Sequence, residues 1–167
     1  MKTRRLTELS LLTAIALIIF TVELQIPNLS PIAGVKLGLA NIITVYAVYR
    51  YKWSEAALVL LARILLGAIF ASNPSAIIYS LSGGFLCLIG MLLLKKIIPL
   101  KHLWLCSVFG AVLHNIGQLI AASLVMRTGT VWVYLPLLVL SGCIAGALTG
   151  LAAQLVLVRM NKKGKNE

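Results

Sequence analysis

The chain is 167 residues long, 60% hydrophobic and 11% charged, with a mean hydropathy of +1.01 and a formal net charge of +11. Soluble domains average about 45–50% apolar and about 25% charged, so a soluble enzyme, a nucleic-acid binder and a disordered chain are all excluded. What remains is an all-α integral membrane protein, read as a single transmembrane domain over 1–167.

A membrane-crossing helix takes about 20 mostly apolar residues. Taken in chain order, spans are expected over 6–26, 35–51, 54–72, 75–94, 103–126 and 134–158. Pro27, Pro31 and Gly34 interrupt the chain after the first, and Ser72-Asn73-Pro74 divides the third from the fourth. Pro99 falls in the fourth connection and Thr128-Gly129-Thr130 in the fifth. Pro136 suits the first turn of the last helix, where a missing N–H costs nothing. The second span is short, so its outer end is expected to run on into the proline-rich loop over 27–34.

Charge sets the expected orientation. With the N-terminus inside, the cytoplasmic side receives Lys2, Arg4, Arg5, Arg50, Lys52, Lys95, Lys96, Lys101, Arg159, Lys162, Lys163 and Lys165. Only Lys36 and Arg127 fall outside, and Arg63 lies within a span. This positive-inside asymmetry predicts six spans with both termini cytoplasmic, in the cell membrane. It also accounts for the net charge without a nucleic-acid partner.

The acids are Glu8, Glu23, Glu55 and Glu167, and the sequence contains no aspartate. Carboxylate-rich magnesium sites and paired catalytic acids are therefore hard to build, and catalysis by this chain is not expected. Cys87, Cys106 and Cys143 stand apart in apolar segments without metal-ligand spacing, so no metal site is expected. No cofactor pattern or nucleotide-binding loop is found.

Polar groups inside the membrane are costly, and they usually face a protein interior or a cavity. Arg63, in ARILLG, lies near the middle of the third span, and Glu23 is its plausible carboxylate partner in the outer half. The two either pair directly or share a ligand. In GVKLGLANI, Lys36 is an interfacial anchor or a ligand contact, and Asn41 lies about one and a half turns further in. An amide in hydrocarbon requires partners. The fourth span opens with SAIIYSLSGG, in which Tyr79, Ser80 and Ser82 precede Gly83-Gly84. That glycine pair either permits close helix packing or marks a distorted helix beside a cavity.

On the fifth span, GAVLHNIGQLIAA places His114 and Gln118 four residues apart on one face, with Asn115 beside them. They form either an interhelical hydrogen-bond cluster or part of a binding site. Tyr134 stands at the outer mouth of the last span as an interfacial aromatic or a cover over a site. The candidate substrate-binding set is therefore Glu23, Lys36, Asn41, Arg63, Tyr79, His114, Asn115, Gln118 and Tyr134. All lie in the outer half or near the midplane, which points to a pocket that opens outward and captures a small molecule. Gly142, Gly146 and Gly150 repeat every four residues on the last helix, and Ser10 and Ala14 make a shorter stripe on the first. Such stripes serve packing within the bundle or docking of another subunit.

The phrases PNLSPIAGVKLGLANIITVYAV, EAALVLLARILLGAIF, YSLSGGFLCLIGMLLLKK, GAVLHNIGQLIAA and YLPLLVLSGCIAGALTG together resemble the Gx transporter family, also labelled heptaprenyl diphosphate synthase component I. That family is similar to the substrate-binding S components of energy-coupling factor (ECF) transporters. The resemblance implies a six-helix S-component-like bundle with an outward-facing site for a vitamin-, flavin-, quinone- or isoprenoid-related molecule. It also implies a coupling subunit and cytoplasmic ATPases as partners, with Ser10 and Ala14 a loose match to the packing motif of an S-component first helix. The synthase label implies instead a non-catalytic subunit beside a prenyltransferase. Members also resemble components of flavin-based extracellular electron transfer.

Overall fold

The computed structural model describes residues 3–26, 38–71 and 75–163. The proline-rich loop over 27–34, Lys36 and Asn73 lie outside the described residues. Among the described residues, six α-helices follow in order: α1 (Thr3–Glu23), α2 (Asn41–Arg50), α3 (Trp53–Ala71), α4 (Ser75–Leu94), α5 (Leu103–Met126) and α6 (Leu135–Lys163). Short 3-10 turns at Leu100–His102 and Thr130–Tyr134 lead into α5 and α6.

Five of these helices are long and apolar enough to cross a bilayer among the described residues. The exception is α2, and it modifies the expected second span over 35–51. Its 10 residues rise only about 15 Å, half of a hydrocarbon core about 30 Å thick. The cause is Gly38, whose φ of 79° is left-handed and cannot continue a right-handed helix. Asn41 is consequently the first residue of α2 rather than a residue deep within a longer helix. The spans expected over 75–94 and 103–126 coincide with α4 and α5. Pro136 is the second residue of α6, where no intrahelical N–H bond is lost.

The short α2 occupies the centre. It packs against each of the other five helices, while α1–α3–α4–α5–α6 follow one another around it. Its Val45, Ala47 and Val48 are buried with Leu9, Ala16, Leu60, Met91, Cys106 and Ala153 in the main core. The outward faces remain aliphatic: Leu137, Leu140, Ile144, Leu148, Leu151 and Leu155 form an exposed stripe down α6, as a lipid-facing helix requires.

Glycine decides how closely the helices approach. A Cβ on Gly146 would stand 2.7 Å from Val108 Cα, and one on Gly150 2.7 Å from Trp104 Cα, so this stripe is the α5–α6 seam. Of the two uses open to the Gly142–Gly146–Gly150 repeat, packing within the bundle is the one observed. The Gly83-Gly84 pair acts likewise, inside an uninterrupted α4. A Cβ on Gly83 would reach 2.7 Å from the His114 carbonyl oxygen, and one on Gly84 3.2 Å from Leu60 Cδ1. The pair therefore seats α4 between α5 and α3 without distorting it. Ser10 and Ala14 are exposed and line an open groove of about 390 Å3 between α1 and α3.

The end of the bundle carrying the N-terminus is tied by charge. Arg5 donates from Nε and Nη2 to the two oxygens of Glu55, at 2.9 Å each. Glu55 also accepts the Lys52 N–H, while Tyr51 donates its hydroxyl proton to Glu8. Lys95 Nζ donates to the Val48 carbonyl at 2.6 Å, closing the last turn of α2.

Candidate functional site

At the opposite end from these clasps, polar side chains from α1, α2, α3 and α5 converge. Glu23, Asn41, Arg63, His114, Asn115 and Gln118 are each 5% exposed or less. Such burial of six polar side chains in a chain this apolar requires that each polar atom find a partner. Only some do.

Glu23 closes α1, and its Oε1 accepts the backbone N–H of Gly38 at 2.5 Å. The left-handed turn at Gly38 delivers that N–H, and the absence of a side chain there leaves room for what lies above it. A Cβ on Gly38 would stand 2.7 Å from Asn41 Nδ2 and 3.2 Å from His114 Cδ2. The glycine is thus the floor on which the Asn41 amide and the His114 ring meet.

Arg63 projects from the middle of α3, and its Nη2 donates to Asn41 Oδ1 across a long 3.5 Å. It makes no direct ion pair with Glu23 within 4.0 Å among the described residues. Of the two arrangements open to Glu23 and Arg63, a direct pair is not what the structure holds. A cavity of about 10 Å3 lies beside Arg63, bounded by Phe20, Ile64, Ala68 and Ser80. That is the space of about one water molecule.

The sites on α5 diverge by one helical step. His114 faces α2 and α4, lying between Gly38 and Gly83. Gln118 lies one turn on, its Cγ 2.9 Å from where a Gly83 Cβ would be. Asn115 turns instead toward α6, where Nδ2 donates to the Leu138 carbonyl at 2.5 Å and abuts Gly142. Ser82 fastens α4 to the same stretch of α5 by donating to the Gly117 carbonyl at 2.7 Å.

Five buried atoms in this region have no hydrogen-bond partner among the described residues: Asn41 Nδ2, Arg63 Nε, His114 Nδ1, Asn115 Oδ1 and Gln118 Oε1. One such atom is an ordinary defect; here five lie on the neighbouring helices α2, α3 and α5.

Tyr79 and Tyr134 belong to a neighbouring environment. They pack with Leu119, Ala122, Val131 and Leu138 in a separate apolar cluster, joined to the polar group through the Leu138 carbonyl. Gly38, which the sequence marks as a point where another backbone or a ligand can approach closely, and Gly142, expected as part of a packing stripe, set the distances around Asn41, His114 and Asn115. Among the described residues, no three His, Cys, Asp or Glu side chains lie close enough to hold a metal ion.

The model of one protein family, heptaprenyl diphosphate synthase component I, matches residues 12–156. The chain belongs to this family. The match runs from the middle of α1 to near the end of α6, so it takes in every residue of the polar group. No curated protein and no solved structure matches the chain.

Proposed function

We propose that this chain is a non-catalytic, substrate-binding membrane subunit of transporter type, holding a small molecule between α1, α2, α3 and α5. The observation that carries this reading is the set of five buried polar atoms without a partner among the described residues. Leaving a buried donor or acceptor unpaired costs about 1–3 kcal/mol each, and a bound molecule that engaged them would remove that cost. The lack of aspartate supports a role without magnesium-dependent diphosphate chemistry. The expected charge asymmetry, with 12 of the 15 basic residues on one side, supports both termini in the cytoplasm; the polar group would then lie in the outer half of the cell membrane. Uptake would then draw on an ECF-type coupling subunit and its ATPases.

The family to which the chain belongs favours a second reading. A heptaprenyl diphosphate synthase component I would be a membrane subunit standing beside a catalytic prenyltransferase.

Gentle extraction from the native membrane, followed by mass spectrometry of co-purifying proteins and small molecules, separates the two. Coupling and ATPase subunits, or a stoichiometric small molecule, are expected under the first reading. A prenyltransferase with neither establishes the second. Retention of the extracted molecule by an Asn41→Ala, Arg63→Ala, His114→Ala triple variant refutes the polar group as the binding site.

A further inference from the structure

Two open apolar grooves run along the outside of the bundle from the end that carries the N-terminus, one between α1 and α3 and the other between α3 and α4. The second holds about 420 Å3 and is walled by Trp53, Ala57 and Leu61 on α3 and by Phe85, Ile89 and Leu92 on α4. Its shape suits a chain better than a helix. From Trp53 to Ile64 α3 rises about 17 Å, so that volume makes a channel about 5–6 Å across. A helix with its side chains is about 10–12 Å wide and would seat only an edge there, whereas one hydrocarbon chain lies in it lengthwise.

The two grooves differ in the charge at their mouths. Beside α1, Arg5 is held by both oxygens of Glu55, and Arg4 lies 3.4 Å from Glu8. At the α3–α4 mouth the lysines lack such partners. The Lys95 N–H bonds the Met91 carbonyl and the Lys96 N–H that of Leu93, so the last turn of α4 carries Lys96 onto the face of Ile89 and Leu92. Lys95 turns inward to the Val48 carbonyl, while Lys96 is exposed and makes no ion pair within 4.0 Å among the described residues. Lys52, also exposed, stands just before Trp53; Glu55 accepts its backbone N–H and makes no ion pair with its ammonium within 4.0 Å. Trp53 is 69% exposed at the same mouth, and an exposed indole at a span's end sits at the depth of the lipid headgroups.

We infer that the α3–α4 groove holds one acyl chain of an anionic phospholipid, whose phosphate-bearing headgroup is bound by Lys96 and Lys52 beside the Trp53 ring. Basic clefts between membrane helices recognise such headgroups, and each nearby lysine favours an anionic lipid about fivefold. The α1–α3 groove, whose arginines are already paired, has no such preference. The site is separate from the polar group and stands whichever reading of that group is right.

The test uses the full-length chain in phosphatidylcholine vesicles, with Trp104→Phe and Trp132→Phe leaving Trp53 as the sole tryptophan. Phosphatidylglycerol and phosphatidylcholine, each brominated near the headgroup, quench an indole that they touch. Brominated phosphatidylglycerol is expected to compete for Trp53 at least about fivefold better than brominated phosphatidylcholine, and Lys52→Gln with Lys96→Gln is expected to abolish the preference. Ala57→Phe fills the groove while leaving both lysines, and is expected to abolish it too. A chain that retains Trp132 alone, at the opposite end of the bundle, is expected to show no preference.

Equal quenching of Trp53 by the two lipids overturns the proposal, as does a preference that survives the double lysine variant or is shared by Trp132. A preference that survives Ala57→Phe means that headgroups merely gather at a basic surface, and it overturns the groove as the site. Mass spectrometry of the wild-type protein, released from bilayers with equal parts of both lipids, asks the same question without a variant. One retained phosphatidylglycerol per chain is expected; retention of neither lipid, or of both equally, overturns the proposal.

Discussion

Replacing Gly142 with alanine tests the link between the α5–α6 seam and the polar group. The new Cβ would stand 2.7 Å from Asn115 Nδ2, short of the 3.4 Å at which ordinary contact begins. The amide must therefore retreat by about 0.7 Å, and Asn115 is fully buried, with its Nδ2 held 2.5 Å from the Leu138 carbonyl. A hydrogen bond between membrane helices is worth about 0.6 kcal/mol on average and at most about 1.7. Overpacking a tight contact adds about 1–3 kcal/mol. Against these stands the gain from replacing glycine by alanine inside a helix, about 1 kcal/mol.

The net expectation for Gly142→Ala is a loss of about 1 kcal/mol. In an Asn115→Ala background the obstacle is gone and only the helix-propensity gain is left, so the same substitution becomes neutral or stabilising. The coupling between the two positions is then about 2 kcal/mol, well above the 0.3–0.5 kcal/mol scatter of independent sites. Unfolding by SDS titration in mixed micelles, run on wild type, both single variants and the double variant, measures it. Gly129→Ala is the control, since nothing lies within 4 Å of that Cβ. Additive single effects would refute the claim that Gly142 exists to seat Asn115.

Other outcomes follow from the same geometry. Gly38→Ala places a Cβ at a φ of 79° and 2.7 Å from the Asn41 amide, so it is expected to lose about 1–2 kcal/mol of stability and to abolish ligand retention. Unchanged retention would show that the Gly38 turn does not organise the site. Ser82→Ala removes the bond to the Gly117 carbonyl and is expected to cost about 0.6 kcal/mol in the same SDS titration, with ligand retention intact. In a variant free of native cysteines, cysteine at exposed Gly129 is expected to react with an impermeant maleimide from outside intact cells, and cysteine at exposed Lys101 only after lysis. The reverse pattern would invert the proposed orientation. Glu55→Ala releases both Arg5 and the Lys52 N–H, and is expected to lower the melting temperature and to reduce the dependence of stability on salt.

Much of this protein is legible in its composition. A chain with so few charges and such long apolar runs has one solvent in which it can fold, and α4 and α5 begin and end where their apolar windows do, because lipid makes every backbone group seek its partner within the helix. The residues of the polar group are legible for the same reason: Arg63, Asn41, His114, Asn115 and Gln118 are expensive in hydrocarbon, so their mere presence marks an interior. What periodicity does not carry is which of them meet. His114 and Asn115 are neighbours in sequence yet face α2 and α6 respectively, since one residue on a helix turns the side chain by about 100°.

Backbone conformation was equally out of reach. Gly38 inside KLGLAN is compatible with a continuing helix or with a left-handed turn, and only the packing around it selects the turn that shortens α2 to half a membrane. Hydropathy depends on each residue alone, and so it fixed the solvent, the long spans and the cost of the polar side chains. The free donors and acceptors depend on where neighbouring helices spend their hydrogen bonds, which only the tertiary structure decides.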